Sequence, residues 1–328
     1  MKTRRFEFIL EAVTPIAHHE GSIGNHAVVM RRKVRLAGGE FAEVPIITGD
    51  TMRHGLREAA AYALLDAAGL LDAEKLSSAA LRLLFNGGVM TGRGDGGAVN
   101  LDQYRELVEM VPPLALLGGC AANRVIPGRL VVEDATLLCE ETRRWLPAWA
   151  AEGLAGESFA MARGYIEEQQ RVRMDALLDP GKRRLLTDGE QMQANARLTA
   201  SETAHANDDA IEREKSKSSM LPRTYESVVR GALFQWAVQA ETHSELDDDT
   251  LMTILGVFLA RPRVGGKKGT GHGELRVVAA RDIAVRRPSE ACEVLDCAAL
   301  GQRVGASFRA HVAARAERLK TFLSTVDA

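Results

Sequence analysis

Cysteine is scarce and badly spaced for chemistry. Cys120, Cys139, Cys292 and Cys297 form no C-x-x-C pair and have no histidine at zinc-ligand spacing, which argues against a structural zinc site and a redox motif. They read as buried thiols. Aromatic residues make up 5% of the 328 positions, and a strand with stacked aromatics, the device that reads free RNA base by base, is missing. Neither sign of charge dominates: 42 Lys and Arg face 44 Asp and Glu, for a net charge of −2. Any contact with nucleic acid must therefore use local patches. No apolar run approaches a membrane-spanning length, and the first residues, Met-Lys-Thr-Arg-Arg-Phe-Glu-Phe, run straight into a charged strand pattern instead of a leader. A cytoplasmic location is expected. G-x-S-x-G, H-E-x-x-H and paired Cys/His arrangements are absent, so no catalytic residue, metal or cofactor is assigned.

The chain does have an apolar content of 46%, enough for a sizeable core. Alternation of Phe6, Phe8 and Leu10 against Glu7, Ile9 and Glu11 predicts a strand over 5–13. Residues 28–36 and 41–47 read as a hairpin around Ala37-Gly38-Gly39-Glu40. It carries the cations Arg31, Arg32, Lys33 and Arg35. From Asp50 the period becomes helical to about Gly69. Strands are then expected over 130–138, 228–240 and 274–280, with a helix over 248–259. The order β-α-β-β-α-β predicts an α+β fold with a ferredoxin-like or RRM-like core. It would be one elaborated domain over 1–328, with a helical insertion over about 69–120, a second insertion over 142–226 and a C-terminal helical segment over 289–326. The second insertion, rich in charge and with few large apolar groups between Thr187 and Ser219, is too polar to pack alone. Asp247-Asp248-Asp249 suits the positive end of a helix, and its alternative use as a catalytic triad of carboxylates is the weaker reading.

Residues 261–276 alternate glycines with cations: Gly265, Gly266, Gly269, Gly271 and Gly273 lie among Arg261, Arg263, Lys267 and Lys268. Glycine permits φ > 0 and leaves amides uncovered, a backbone suited to a phosphate chain. His272 stands where a P-loop needs Lys-Ser/Thr, and a strand follows where a dinucleotide fingerprint needs a helix, so both nucleotide motifs fail. A second candidate is the helix start at Thr51, Arg53 and Arg57, where free amides and the dipole favour phosphate. The competing reading there is an N-cap at Asp50 or Thr51 on an ordinary surface helix. Gly55, inside the helix, costs about 1 kcal/mol relative to Ala and predicts close approach of another chain or backbone. His18, His19 and Glu20 could form an acid/base or metal cluster, but no further ligands stand at suitable spacing. Met220 and Leu221, flanked by Lys215, Lys217 and Arg223, could wedge between bases.

Together the opening strand and loop, the segment Pro45–Arg57, Leu116-Leu117-Gly118-Gly119, Val132–Ala135 and the glycine loop resemble a RAMP-type CRISPR backbone subunit. The pattern is most similar to the Cas-seven-like subunit of type IV systems. The resemblance implies an RRM-like hand with an inserted thumb, bound to CRISPR guide RNA in many head-to-tail copies. Other effector subunits, and a target nucleic acid paired with the guide, would be partners. It assigns Thr51, Arg53, Arg57 and the loop Gly265, Gly266, Lys267, Lys268, Gly269, Gly271 and His272 to RNA phosphates. Met220, Leu221 and Arg223 would belong to the thumb. Related type III subunits cut target RNA with an Asp in the loop after the first strand; Thr14–His26 contains Glu20 and no Asp, so no cleavage is expected. The alternative is a metal-dependent nuclease using His18, His19 and Glu20.

Overall fold

The computed structural model describes residues 2–23, 25–71, 75–88, 97–98, 100–121, 124–151, 154, 156–171, 187, 223–284, 293–294 and 305–325. Met220 and Leu221, expected in a thumb, the polar span 188–219 with Lys215 and Lys217, Cys292 and Cys297 lie outside the described residues. Two compact units emerge, one of 1–19, 29–167 and 227–328, the other of 20–28 and 168–226. The smaller falls largely within the second expected insertion.

The class is α+β. In the larger unit, β1 (Lys2–Ala12) runs antiparallel to both β13 (Leu233–Thr242) and β14 (Leu275–Ala284). Beyond β13 come β10 (Ala135–Leu137), β5 (Phe41–Ile47) and β4 (Arg31–Arg35), while β9 (Leu130–Val132) also pairs with β13 and β15 (Glu293–Val294) extends the opposite edge. Taking α1 (Gly49–Ala67) after β1 and α6 (Glu245–Ala260) after β13, the chain follows a β-α-β-β-α-β path through the strand order β14-β1-β13-β10.

Alternation on β1 buries Phe6, Phe8 and Leu10 against the helices. Met52, Leu56 and Ala60 of α1, with Leu251, Ile254, Leu255 and Phe258 of α6, complete that layer. Each of the Phe, Leu, Ile and Met side chains in it, fully buried, contributes about 1.5–3 kcal/mol. The Trp236 ring stacks on Phe8 at 5.1 Å and meets the edge of Phe258 at 5.8 Å. Gly55 is explained here: a Cβ would stand 2.6 Å from the Phe258 ring. The close neighbour is a side chain of α6, not the expected backbone or second chain.

Three local expectations are revised. The strand read as 228–240 is two strands, β12 (Arg223–Val228) and β13, separated by a turn in which Gly231 takes φ 81°. The N-cap of α1 is Thr48, whose backbone is extended (ψ 147°) and whose side-chain hydroxyl oxygen accepts the Thr51 N–H, so neither Asp50 nor Thr51 caps. Finally, 142–165 does not behave as a polar insertion. Leu146, Trp149, Ala150, Leu154 and Phe159 pack with Ile9 and Leu138 on the sheet face opposite the helices.

The helical insertion supplies α2 (Ser78–Asn86), α3 (Leu101–Met110) and α4 (Pro113–Leu117), which share a second core with α7 (Ala306–Ala313) and α8 (Ala316–Thr325). Within it, Phe308 and Val312 are buried. The aspartate run is structural. Asp247 takes a bidentate pair from Arg129 at 2.8 and 3.1 Å, and Asp249 receives the Ser307 N–H at the start of α7. The Cys139 thiol is buried and its pKa raised by burial; Cys120 is partly exposed.

The smaller unit is built on a sheet in the order β11 (Ile166–Arg171), β12, β3 (His26–Val29) and β2 (His19–Ile23). β12 and β3 are parallel, with Thr224 opposite His26 and Tyr225 opposite Ala27. Arg223, exposed, opens β12.

Candidate nucleic-acid interface

Two segments 210 or so positions apart in the chain meet over one cleft of about 330 Å³, lined by His18, Asp50, Thr51, His54, Gly265 and Lys268. The helix start and the glycine loop, singled out separately in the sequence, are thereby joined, with the loop after β1 as the third wall.

The glycine loop is seated by its neighbours. Gly266 N–H donates to Ala17 O at 2.7 Å and Gly273 N–H to Pro15 O at 2.9 Å. A Cβ on Gly265, whose φ is 74°, would stand 2.8 Å from Ala17 O, and one on Gly273 would meet Val264 O at 2.0 Å. Close approach to the 15–18 segment therefore requires glycine at 265, and the close approach of the loop's own backbone at Val264 requires it at 273. Gly271 also has positive φ, whereas Gly266 and Gly269 do not, and Lys267 is the single non-glycine residue with φ > 0 among the described residues, at 58°. Much of the loop's backbone turns inward, because Thr270 and His272 N–H groups both donate to Lys267 O. A bare row of amides, as first expected, is not what the loop offers. His272 is 5% exposed and sits beneath the loop with Nδ1 3.3 Å from Thr270 O, so its assignment to a phosphate contact is corrected to a packing role.

Polar order at the helix start comes from His18. Its Nε2 accepts the Thr48 N–H at 3.3 Å and lies 3.2 Å from Thr48 Oγ1. Thr48 Oγ1 in turn donates to Thr51 Oγ1 at 3.0 Å, which leaves the Thr51 hydroxyl proton for the cleft. Burial, then the charge of neighbouring His19, pushes the His18 pKa below its ordinary value, against a small upward pull from Asp134. A neutral ring with an unprotonated Nε2 is what the Thr48 N–H needs. Gly49 N–H is spoken for by Asp134 Oδ1 at 2.7 Å.

Arg53 and Arg57 do not serve the cleft as expected. Arg53 donates to Leu130 O at 2.8 Å and Leu117 O at 2.6 Å, and Arg57 to Gly118 O and Leu117 O at 3.0 and 3.1 Å. They turn inward to satisfy the carbonyls of Leu116-Leu117-Gly118-Gly119. Burial lowers both pKa values, and the charge of Arg53 helps to take Arg57 down to about 10. The residue missed at this site is Glu58, one turn further along α1. Its carboxylate lies 3.7 Å from Lys268 Nζ and 3.6 Å from His54 Nε2. The i, i+4 spacing of His54 and Glu58 was a readable signal for half of that contact.

The other cations distribute unevenly. Arg263 pairs with Glu274 at 2.9 Å, Arg261 is exposed, and Arg32, Lys33 and Arg35 are exposed on β4. His19 and Glu20 begin β2. Among the described residues no group of three His, Cys, Asp or Glu side chains is placed to hold a metal ion, and no helix is long and apolar enough to cross a membrane.

No protein-family model matches the sequence, and no curated protein matches it. A search of solved structures finds a chain described as "Type IV-B CRISPR Complex", 16% identical, with 86% of this chain and 91% of that chain covered and a TM-score of 0.49. To that chain of a type IV-B CRISPR complex the present protein is similar along most of its length.

Proposed function

We propose that this chain is a non-catalytic, guide-RNA-binding backbone subunit of a CRISPR effector complex, repeated head to tail along the RNA. The observation that carries the reading is the convergence of Thr51, His54, Gly265 and Lys268 on one cleft. A phosphate there receives the Thr51 hydroxyl, the Lys268 ammonium and the positive end of α1. None of these groups reads a base, so binding is indifferent to sequence, and Watson–Crick pairing by the guide does the recognition. Repeated copies on one strand require a heterologous contact that does not close, hence an open helical assembly. Near-neutral net charge lets such copies pack without strong repulsion. The nuclease alternative has less support, because His18 Nε2 is engaged by Thr48 and is poorly placed to bind a metal or take a proton from water.

The test is RNA binding by the doubly substituted Lys267→Ala/Lys268→Ala protein at several salt concentrations. Affinity should drop about equally for unrelated sequences, and the log-log salt slope should flatten by up to about two. An unchanged slope removes the loop from the interface. RNA carried through purification by the parent protein, growing in mass as longer RNA is supplied, tests the repeated assembly.

A further inference from the structure

A second cavity, of about 160 Å³, opens on the sheet face away from α1 and α6. Its walls include Glu133, Asp134, Thr136, Trp145 and Gln235. It is too small for a drug-sized ligand, which needs roughly 300 Å³ or more, but has room for one planar ring. Trp145, at the end of the single-turn helix Arg143–Trp145, is 43% exposed. The Arg144 guanidinium lies 4.7 Å from its ring centroid, and Arg144 also donates to Arg35 O on β4. An indole braced by an arginine is a stacking platform of the type that holds unstacked bases.

In the same wall, Thr136 and Gln235 stand directly across β10 and β13 from one another. Among the described residues neither side chain is engaged in a hydrogen bond, so a hydroxyl and a carboxamide are left to meet the edge of a ring. The two carboxylates are already balanced: Glu133 by Arg5, Asp134 by the Gly49 N–H and by Arg32 at 3.5 Å. Their outer lone pairs can still accept from an exocyclic amino group. Asp134 thus connects this cavity to the first residue of α1 and to the β4 cation Arg32, while Arg144 ties the platform to the β4 backbone at Arg35 O.

We propose that this cavity receives one unstacked nucleobase from a single strand whose phosphates lie along the α1 cleft, with Trp145 as the stacking surface and Gln235 and Thr136 at the ring edge. This rests on the RNA-binding reading above. The aromatic sits on a turn and not on a strand, which is why a strand-based pattern of stacked aromatics does not reveal it.

The experiment compares a short single-stranded oligoribonucleotide with the same phosphodiester chain lacking its bases, on the full-length protein, Trp145→Ala, Trp145→Phe, Gln235→Ala and Lys268→Ala. Expected is a loss of about tenfold for Trp145→Ala on the base-bearing strand, within the range stacking supplies, with no loss on the abasic strand. Trp145→Phe should retain most of the affinity and Gln235→Ala should lose a few-fold, again only when bases are present. Lys268→Ala should weaken both strands alike. In parallel, the base-bearing strand should quench tryptophan emission in the parent protein and much less in Trp145→Phe, a readout that stands even if Trp145→Ala folds poorly. Equal binding of both strands by Trp145→Ala and the parent, or equal losses on both, overturns the base pocket while the Lys268 effect leaves the phosphate cleft standing. Failure of the parent protein to bind either strand overturns both.

Discussion

Along the buried side of α1, Arg53 and Arg57 spend four N–H groups on the carbonyls of Leu117, Gly118 and Leu130. Across the cleft, Lys268 lies 3.7 Å from the half-exposed Glu58 carboxylate. The two regions carry the same sign of charge, yet one bonds carbonyls of the scaffold and the other pairs with a half-exposed carboxylate. A planar, multi-donor guanidinium suits carbonyls at the end of a short helix; an ammonium on a flexible stem suits a mobile or exchangeable anion. Charge alone does not mark a binding residue here, and the partner that meets it does.

Arg57→Ala attacks the scaffold side of that contrast and should have the largest effect. Two carbonyls lose charge-assisted donors, and a loss of about 3 kcal/mol in unfolding free energy is expected, measured by urea denaturation. Retained stability with reduced RNA affinity would instead return Arg57 to the interface. Gly265→Ala should cost about 2 kcal/mol, because a side chain at φ 74° is strained and its Cβ would crowd Ala17 O; RNA affinity should fall with it as the loop lifts from the 15–18 segment.

Acid should act on His18. Its pKa in the folded chain lies below the ordinary 6.5 because the ring is buried, so the unfolded chain takes up a proton first. Stability is then fully present above about pH 6.5 and is lost as pH falls through the lower folded-state value. Thermal melts of the parent and of His18→Gln between pH 7.5 and 5 check this: part of the parent's decline should vanish in the variant. An identical decline in both would detach His18 from the helix start. The smallest change is expected for Glu58→Gln, which releases Lys268 and His54 from a half-exposed carboxylate. RNA should bind tighter by about threefold at low salt, in keeping with the modest strength of exposed ion pairs, and the gain should disappear at high salt.

Much of the framework is legible in the chain itself. The alternation of Phe6, Phe8 and Leu10, the helical stripe Met52, Leu56 and Ala60, and the apolar spacing of Leu251, Ile254, Leu255 and Phe258 place the strands and helices of the β-α-β-β-α-β path. Periodicity suffices because one face of each element must be buried. The polar composition of 142–226 as a whole masks the short run from Leu146 to Phe159, which buries itself on the sheet. The turn around Gly231 is likewise too brief to interrupt a strand pattern.

Local sequence by itself determined which residues could suit an anion: glycines able to take φ > 0, a hydroxyl at a helix start, cations nearby. The direction each one faces was decided only in three dimensions. The unsatisfied carbonyls after α4 claimed Arg53 and Arg57, the packing of loop 265–273 onto 15–18 buried His272, and the neutral ring of His18 ordered Thr48 and Thr51. Hydrogen-bond demand from residues distant in the chain, which no window of sequence contains, separates the groups that hold the fold from those left to hold a ligand.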